Sequence, residues 1–431
     1  MNAAWSRLLL RVGALGLKFV LTIVVARTLG FDSVAVYGFA LAVSVVASKV
    51  LGLGFSTEIN RRLAGPDPRD AIRTCVRVSV LYAGAYVLLC GVAALPLDAF
   101  GASRIGALPD MPLVLVALVA CAEHAALEVN TWLFSLHRTR AASWLLFVRT
   151  GAWAGVAIAA LTAGAIDSID GLFAIWLAAD ACVVALGCAL IAHAAHRLPA
   201  MPALSATRAR LATVWRDGAP FFVALLLLSV LQYLERFVAS ALLDADTLGR
   251  YVFVWSIANA IQTIASATVA AVAAPRLVRA LDCARGAAPA FRAELAHALR
   301  ASFALTGAAA LAIAVLHPWI FRVAQAGTAA PMPSGAVLAI LLLSFVLRAV
   351  ADVLWAAAVA LRAGRVVACV MAALTLACVP MSIALVHDQR ALGAAVAHLA
   401  ASIAVAAWLA WIVTSRLPAA RGARTGAGRA A

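Results

Sequence analysis

Runs of about twenty apolar residues recur along the whole chain, set apart by short segments of Arg, Asp, Gly, Pro and Ser. A helix of roughly 20 residues crosses a hydrocarbon core, and in lipid only helices and closed barrels satisfy their own backbone groups. A barrel would alternate apolar and polar positions over segments of about ten residues. Ala219 to Leu234 and Val337 to Leu347 are instead almost continuously apolar, so the pattern predicts helices. Twelve spans fit best, near residues 8–29, 35–57, 76–97, 112–134, 144–166, 172–195, 218–242, 251–274, 300–322, 335–361, 366–387 and 393–414. The expected fold class is an all-α membrane protein of about 12 transmembrane helices, in two parallel six-helix lobes around a central cavity.

The lobes follow from where the polar breaks fall. His196 to Asp217 separates spans six and seven, giving an N-terminal lobe 1–195, a cytoplasmic linker 196–217, a C-terminal lobe 218–415 and a tail 416–431. Leu204, Leu211, Val214 and Trp215 beside Arg208, Arg210 and Arg216 fit either an amphipathic helix at the inner interface or a solvated linker. The tail, rich in Ala, Gly and Arg, reads as disordered. An offset of 214 residues brings Asp32-Ser33 onto Asp246-Thr247, Tyr37 onto Tyr251, Phe39 onto Phe253 and Arg62-Leu63 onto Arg276-Leu277 without a gap. An even number of spans per repeat makes both lobes run in the same sense, related by an axis along the membrane normal.

Composition agrees, and charge adds an orientation. The 431 residues are 65% hydrophobic and 12% charged, with a mean hydropathy of +1.01, which excludes a water-soluble fold. A net charge of +15 would suggest nucleic acid in a soluble chain. With both termini cytoplasmic, however, 24 of the 34 Lys and Arg fall on inner segments and their flanking turns, and the outer loops hold only Arg104, Arg250, Arg322 and Arg390. That partition is the positive-inside signature, so the charge reports topology and no nucleic-acid partner is expected. Met1 to Arg11 contains no small-residue cleavage site, so the first span reads as retained. The eight cysteines form no CxxC or Cys/His spacing, and neither a metal nor another cofactor is expected.

Lys18, Arg27, Lys49, Arg149, Arg236, Arg348, Glu123, Glu128, Asp180, Glu235 and Asp352 fall within or at the ends of the spans. A central Arg, Lys or Asp costs roughly 2.5 to 3.5 kcal/mol on insertion scales, so such groups usually face a cavity or a partner. Near span ends, Arg27, Arg149 and Lys49 have snorkelling as their simplest reading. Arg11, Lys18 and Thr22 share a face of the first helix. Ser229, Gln232, Tyr233, Arg236 and Ser240 share one of the seventh. Arg348 and Asp352 lie one turn apart on the tenth, a spacing that suits a structural pair. His124 and Glu128 repeat that spacing on the fourth, with Glu123 offset around the helix, and fit either a titratable cluster or a packing network.

Val25-Ala-Arg-Thr-Leu-Gly30, Tyr37-Gly-Phe-Ala-Leu-Ala42, Leu51-Gly-Leu-Gly-Phe55 and Glu58-Ile-Asn-Arg61, followed by Pro220, Glu235-Arg236 and Leu248-Gly-Arg-Tyr251, resemble the lobe openings of Wzx-type polysaccharide and O-antigen flippases. These belong to the multidrug, oligosaccharidyl-lipid and polysaccharide (MOP) exporter superfamily. The resemblance implies a V-shaped cavity lined by cations, receiving the diphosphate and glycan of an undecaprenyl-linked repeat unit while the lipid tail stays in the bilayer. It implies a bacterial inner-membrane location, membrane lipids and a lipid-linked oligosaccharide as partners, and an encounter with polysaccharide polymerase machinery. Carried onto this sequence, it makes Arg11, Lys18 and Arg236 the substrate-binding residues. Glu123, His124, Glu128 and Asp352 are the candidates for ion coupling.

Two rivals remain. A multidrug exporter of the same superfamily would show uncompensated acids in its cavity. A polytopic glycan polymerase or ligase would need catalytic groups in a large outer loop, and every outer loop expected here is short. The absence of a GxxxxGK[ST] loop excludes ATP hydrolysis by the chain itself.

Overall fold

The computed structural model describes residues 3–64, 68–95, 108, 111–197, 211–282, 287–325 and 332–427. These form fourteen α-helices: α1 Ala3–Thr28, α2 Phe31–Leu51, α3 Ser56–Leu63, α4 Pro68–Ala93, α5 Leu113–Ser135, α6 Thr139–Phe147, α7 Trp153–Thr162, α8 Ile169–Arg197, α9 Leu211–Leu242, α10 Ala245–Ala265, α11 Ala271–Asp282, α12 Ala287–Gln325, α13 Gly335–Ala360 and α14 Gly364–Ala427. Single π turns, Val148–Ala152 and Ser266–Ala270, join α6 to α7 and α10 to α11.

Among the described residues, eleven helices are long and apolar enough to cross a membrane, against the twelve expected. The difference lies in the last, which runs 54 residues from Gly364 to Leu417. Arg390 interrupts it at φ 55°, ψ −129°. A Cβ on Gly393 would run into the carbonyl oxygen of Leu385, a residue that a straight helix would place about 12 Å away. The chain therefore folds back here, between the two spans expected at 366–387 and 393–414. The helix runs on to Ala427, where an unstructured tail was expected from Arg416; Ala and Arg are strong helix formers.

The second span ends sooner than expected. α2 starts after Gly30, whose φ of 86° suits glycine, and stops at Leu51, where Leu53 (φ 48°) and Gly54 (φ 83°) take left-handed conformations. Those two residues turn the chain into α3. Pro220 lies inside α9 rather than at its start. Of the proposed linker helix, Leu211, Val214, Trp215 and Arg216 form the first turns of α9, while Leu204, Arg208 and Arg210 lie outside the described residues.

Two compact units form: Met1–Ser229 with Asp244–Gly249, and Val230–Leu243 with Arg250–Ala431. The division falls within α9, not in the expected linker. In the first, Ile59, Leu63, Val78, Tyr82, Ala126 and Leu133 belong to one buried apolar cluster drawn from α3, α4 and α5. The internal repeat extends to the elements: α2 and α10 begin and end 214 positions apart. Where the first copy then breaks at Gly52–Phe55, the second passes through a π turn. α5 and α13 correspond at an offset of 224, which sets His124, Glu128 and Thr131 against Arg348, Asp352 and Trp355.

Candidate functional site

In the first unit, Lys18 and Glu123 come together with two residues not expected from sequence to belong to a site, Arg149 and Asp180. Lys18 Nζ lies 5.9 Å from the ring centroid of Trp153, which stacks on Trp176 at 5.0 Å and 4°. Trp176 Nε1 donates to Glu123 Oε2 at 3.4 Å, and Arg149 Nη1 donates to Glu123 Oε1 at 2.5 Å. Arg149 is 9% exposed: it is an ion-paired core residue, not a snorkelling one. The π turn that carries it explains the placement, because an extra residue rotates the helix face in a way that 3.6-residue periodicity cannot anticipate. Asp180, on α8 one turn beyond Trp176, is fully buried, and neither carboxyl oxygen has a hydrogen-bond partner among the described residues. Lys18 lies within electrostatic range of Glu123, Arg149 and Asp180 but makes no ion pair or hydrogen bond through its ammonium among the described residues. Arg11 is half-buried two turns earlier on α1.

His124 and Glu128 occupy a different environment in the same unit. His124 is fully buried, with Nδ1 2.6 Å from Tyr86 Oη and the rings of Tyr82 and Tyr86 edge-on. Glu128 Oε1 accepts from Ser56 Oγ at 2.5 Å and lies 3.8 Å from His124 Nε2. Tyr82 Oη donates to the Gly52 carbonyl at 3.2 Å, so one of the backbone groups released by the helix break is satisfied by a side chain.

The second unit corrects two expectations. Arg236 does not sit on an open wall: it is 1% exposed, its guanidinium 3.6 Å from the Trp255 centroid and 5.4 Å from that of Tyr233. Glu235 beside it accepts from Trp255 Nε1 at 2.9 Å. A planar guanidinium is stabilised by stacking on aromatic faces when desolvated. Arg348 and Asp352 do not pair. Arg348 Nε donates to Ser402 Oγ at 2.9 Å and Nη2 to the Leu231 carbonyl at 3.1 Å. Asp352 Oδ2 instead accepts from Gln262 Nε2 at 3.1 Å. One-turn spacing permits a pair but does not outweigh a hydroxyl and a carbonyl already placed on either side. Asp352 borders an open cavity of 420 Å³ with Ser266 and Trp355, lined otherwise by apolar residues such as Ala270 and Val359. Among the described residues, no group of three or more His, Cys, Asp or Glu could hold a metal ion.

The architecture matches solved transporters over nearly the whole chain. A MATE family multidrug-resistance transporter of the MOP superfamily, inward-facing, is 16% identical, with 93% of this chain and 94% of that one covered at a TM-score of 0.61. The lipid II flippase MurJ, inward closed, is 12% identical, with 94% and 88% covered at 0.66. The eukaryotic MATE transporter AtDTX14 is 15% identical, with 97% and 96% covered at 0.63. At these identities the likeness is one of fold. No curated protein matches the chain in sequence. A model of the polysaccharide biosynthesis protein family matches residues 3–281, well over half of the chain. The chain, an all-helical membrane protein with the MOP transporter fold, thus belongs to the polysaccharide biosynthesis protein family.

Proposed function

We propose that this chain is a Wzx-type flippase, moving undecaprenyl-diphosphate-linked oligosaccharide across the bacterial inner membrane by alternating access, with both termini cytoplasmic and without catalysis. The observation that carries the reading is the ammonium of Lys18: it faces the Trp153 ring, and with Glu123 engaged by Arg149 and Trp176 it makes no ion pair or hydrogen bond among the described residues. Charge-assisted hydrogen bonds make such a group suited to a diphosphate. Arg11 extends the cation along the same helix face. Glu123 and the buried carboxyl of Asp180 give the cluster groups able to take part in ion coupling. The family match supports the polysaccharide half of the reading. In a strain lacking the gene, undecaprenyl-diphosphate oligosaccharide should accumulate on the inner leaflet; an unchanged pool would refute the reading.

One observation favours a second reading, an exporter of organic cations. With Arg348 turned to Ser402, Asp352 and Trp355 present an acid and an aromatic face to a mostly apolar cavity, a combination that suits a lipophilic cation. Cationic-dye efflux that disappears in Asp352→Asn while surface glycan is unaffected would favour this alternative.

A further inference from the structure

We propose that the cavity at the α2–α3 break is a subsite for one neutral, hydroxyl-rich ring, such as a pyranose. It deepens the flippase reading, on which it rests for the source of that ring. The cavity is 160 Å³, the volume of about five waters at ~30 Å³ each. Whole-ligand pockets run to roughly 300–1,000 Å³, so this one admits a single ring or a small part of a larger molecule.

Its walls supply both donors and acceptors. Lys49 lines it, with no ion pair or hydrogen bond through its ammonium among the described residues. Asn60 contributes its amide, of which only Oδ1 is engaged among the described residues, by Ser135 at 3.0 Å. Glu128, 4% exposed, lines the cavity, and its Oε2 has no hydrogen-bond partner among the described residues. Thr131 and Ser56 add hydroxyl oxygens that donate elsewhere and remain free to accept. Phe222 adds an aromatic wall. Lys49 and Glu128 oppose one another in charge, so neither an anion nor a cation gains from the site as a whole. A ring hydroxyl, which donates and accepts at once, gains from both.

The second repeat argues that this lining is not required by the fold. Positions equivalent to Ser56 and Asn60 carry Ala270 and Ala274, and that of Thr131 carries Trp355; all three line the cavity beside the π turn that stands where the first copy breaks. The acid alone persists, as Glu128 and Asp352. A cavity at the corresponding place in the repeat therefore forms with a mostly apolar lining, and the hydroxyl and amide groups of the first copy need another explanation. The break itself places them: left-handed Leu53 and Gly54 redirect the chain so that Ser56 reaches Glu128, and a Cβ on Gly54 would lie 3.3 Å from Phe222 Cβ, which closes the opposite wall.

Saturation-transfer NMR on the full chain in detergent tests this, with methyl glucoside, methyl galactoside and methyl N-acetylglucosaminide as probes, and glycine betaine and tetramethylammonium as charged controls. The expected result is transfer to at least one pyranoside and to neither control, reduced fivefold or more in Asn60→Leu and in Lys49→Met. Leu225→Trp, which fills the cavity without removing a polar partner, should abolish it, with monodisperse elution showing that each variant folds. No transfer to any pyranoside, transfer undiminished in folded variants, or preference for a charged control would overturn the proposal. The two readings fail separately. Pyranoside binding without lipid-linked glycan accumulation in the deletion strain would refute the flippase and keep the subsite. Accumulation in that strain without pyranoside binding would do the reverse.

Discussion

Arg348 is 2% exposed and held by one hydroxyl and one backbone carbonyl. Removing a buried charge that neutral groups satisfy leaves those groups stranded, at about 1–3 kcal/mol each. Asp352, half-buried at a cavity edge, has less to lose. Arg348→Met should therefore sharply reduce membrane abundance, whereas Asp352→Asn should insert at near wild-type level; equal losses, recovered in the double variant, would reinstate a direct pair. Glu58 sets a pH dependence. Burial alone would push its carboxyl up, but hydrogen bonds from Arg61 at 2.6 and 2.7 Å and from Arg62 at 2.8 Å prevail, and its pKa falls below the ordinary value. A lowered folded-state pKa contributes stability above the unfolded value of about 4.3, lost as pH falls through the folded one. Glu58→Gln should thus lower the melting temperature at pH 7, with the difference shrinking below about pH 4. A difference that persists in acid would mean the carboxylate charge is not responsible. At this scale the sequence pointed to many of the intramembrane charges, but not to the burial of Arg149, Glu58 or Arg250, nor to whom the charges met. Lys18 and Glu123 were legible as intramembrane charges, while Asp180 as a site residue and the aromatic seat of Arg236 depend on contacts between distant helices that no spacing encodes.

At the scale of elements, hydropathy located the spans, most of their ends to within several residues although α12 begins about a dozen before the expected 300, because burial in lipid is a property of composition. It could not find the two π turns or the α2–α3 break, which depend on one residue inserted or on two φ angles reversed. One such turn sets the candidate site. Gly151, within Val148–Ala152, packs so closely that a Cβ there would lie 2.5 Å from the Cα and Cβ of Ala14 on α1, one turn before Lys18. Gly155, one turn on, would meet Leu17 at an ordinary 3.7 Å. Gly151→Ala should force α1 away and destabilise the protein by about 1–3 kcal/mol, lowering glycan complementation with it. Gly155→Ala should be nearly silent. Thermal unfolding of the two variants side by side checks the contrast; equal behaviour would mean that α1 is not seated by this contact.

For the whole molecule, the partition of arginines and the internal repeat predict one topology, with both termini inside and the two repeats parallel. Reporter fusions after Ser168, Asp246 and Asp388 should read as external, and those after Thr139 and Arg362 as cytoplasmic. Consistent inversion within one repeat would defeat the parallel arrangement. The chain shares its fold with solved transporters, and under the proposed function what distinguishes a lipid-linked glycan from an organic cation is the sign of the group that meets it. Lys18 is the residue on which that sign turns. The most direct measurement is complementation of surface glycan in a flippase-null strain by Lys18→Gln and Lys18→Arg, normalised to membrane-inserted protein. If the ammonium holds the diphosphate, Lys18→Gln loses a contact of roughly 1.5 to 3 kcal/mol, about tenfold or more in substrate binding, and Lys18→Arg keeps much of the activity. Full activity in Lys18→Gln, or equal loss of inserted protein in both variants, would contradict the account.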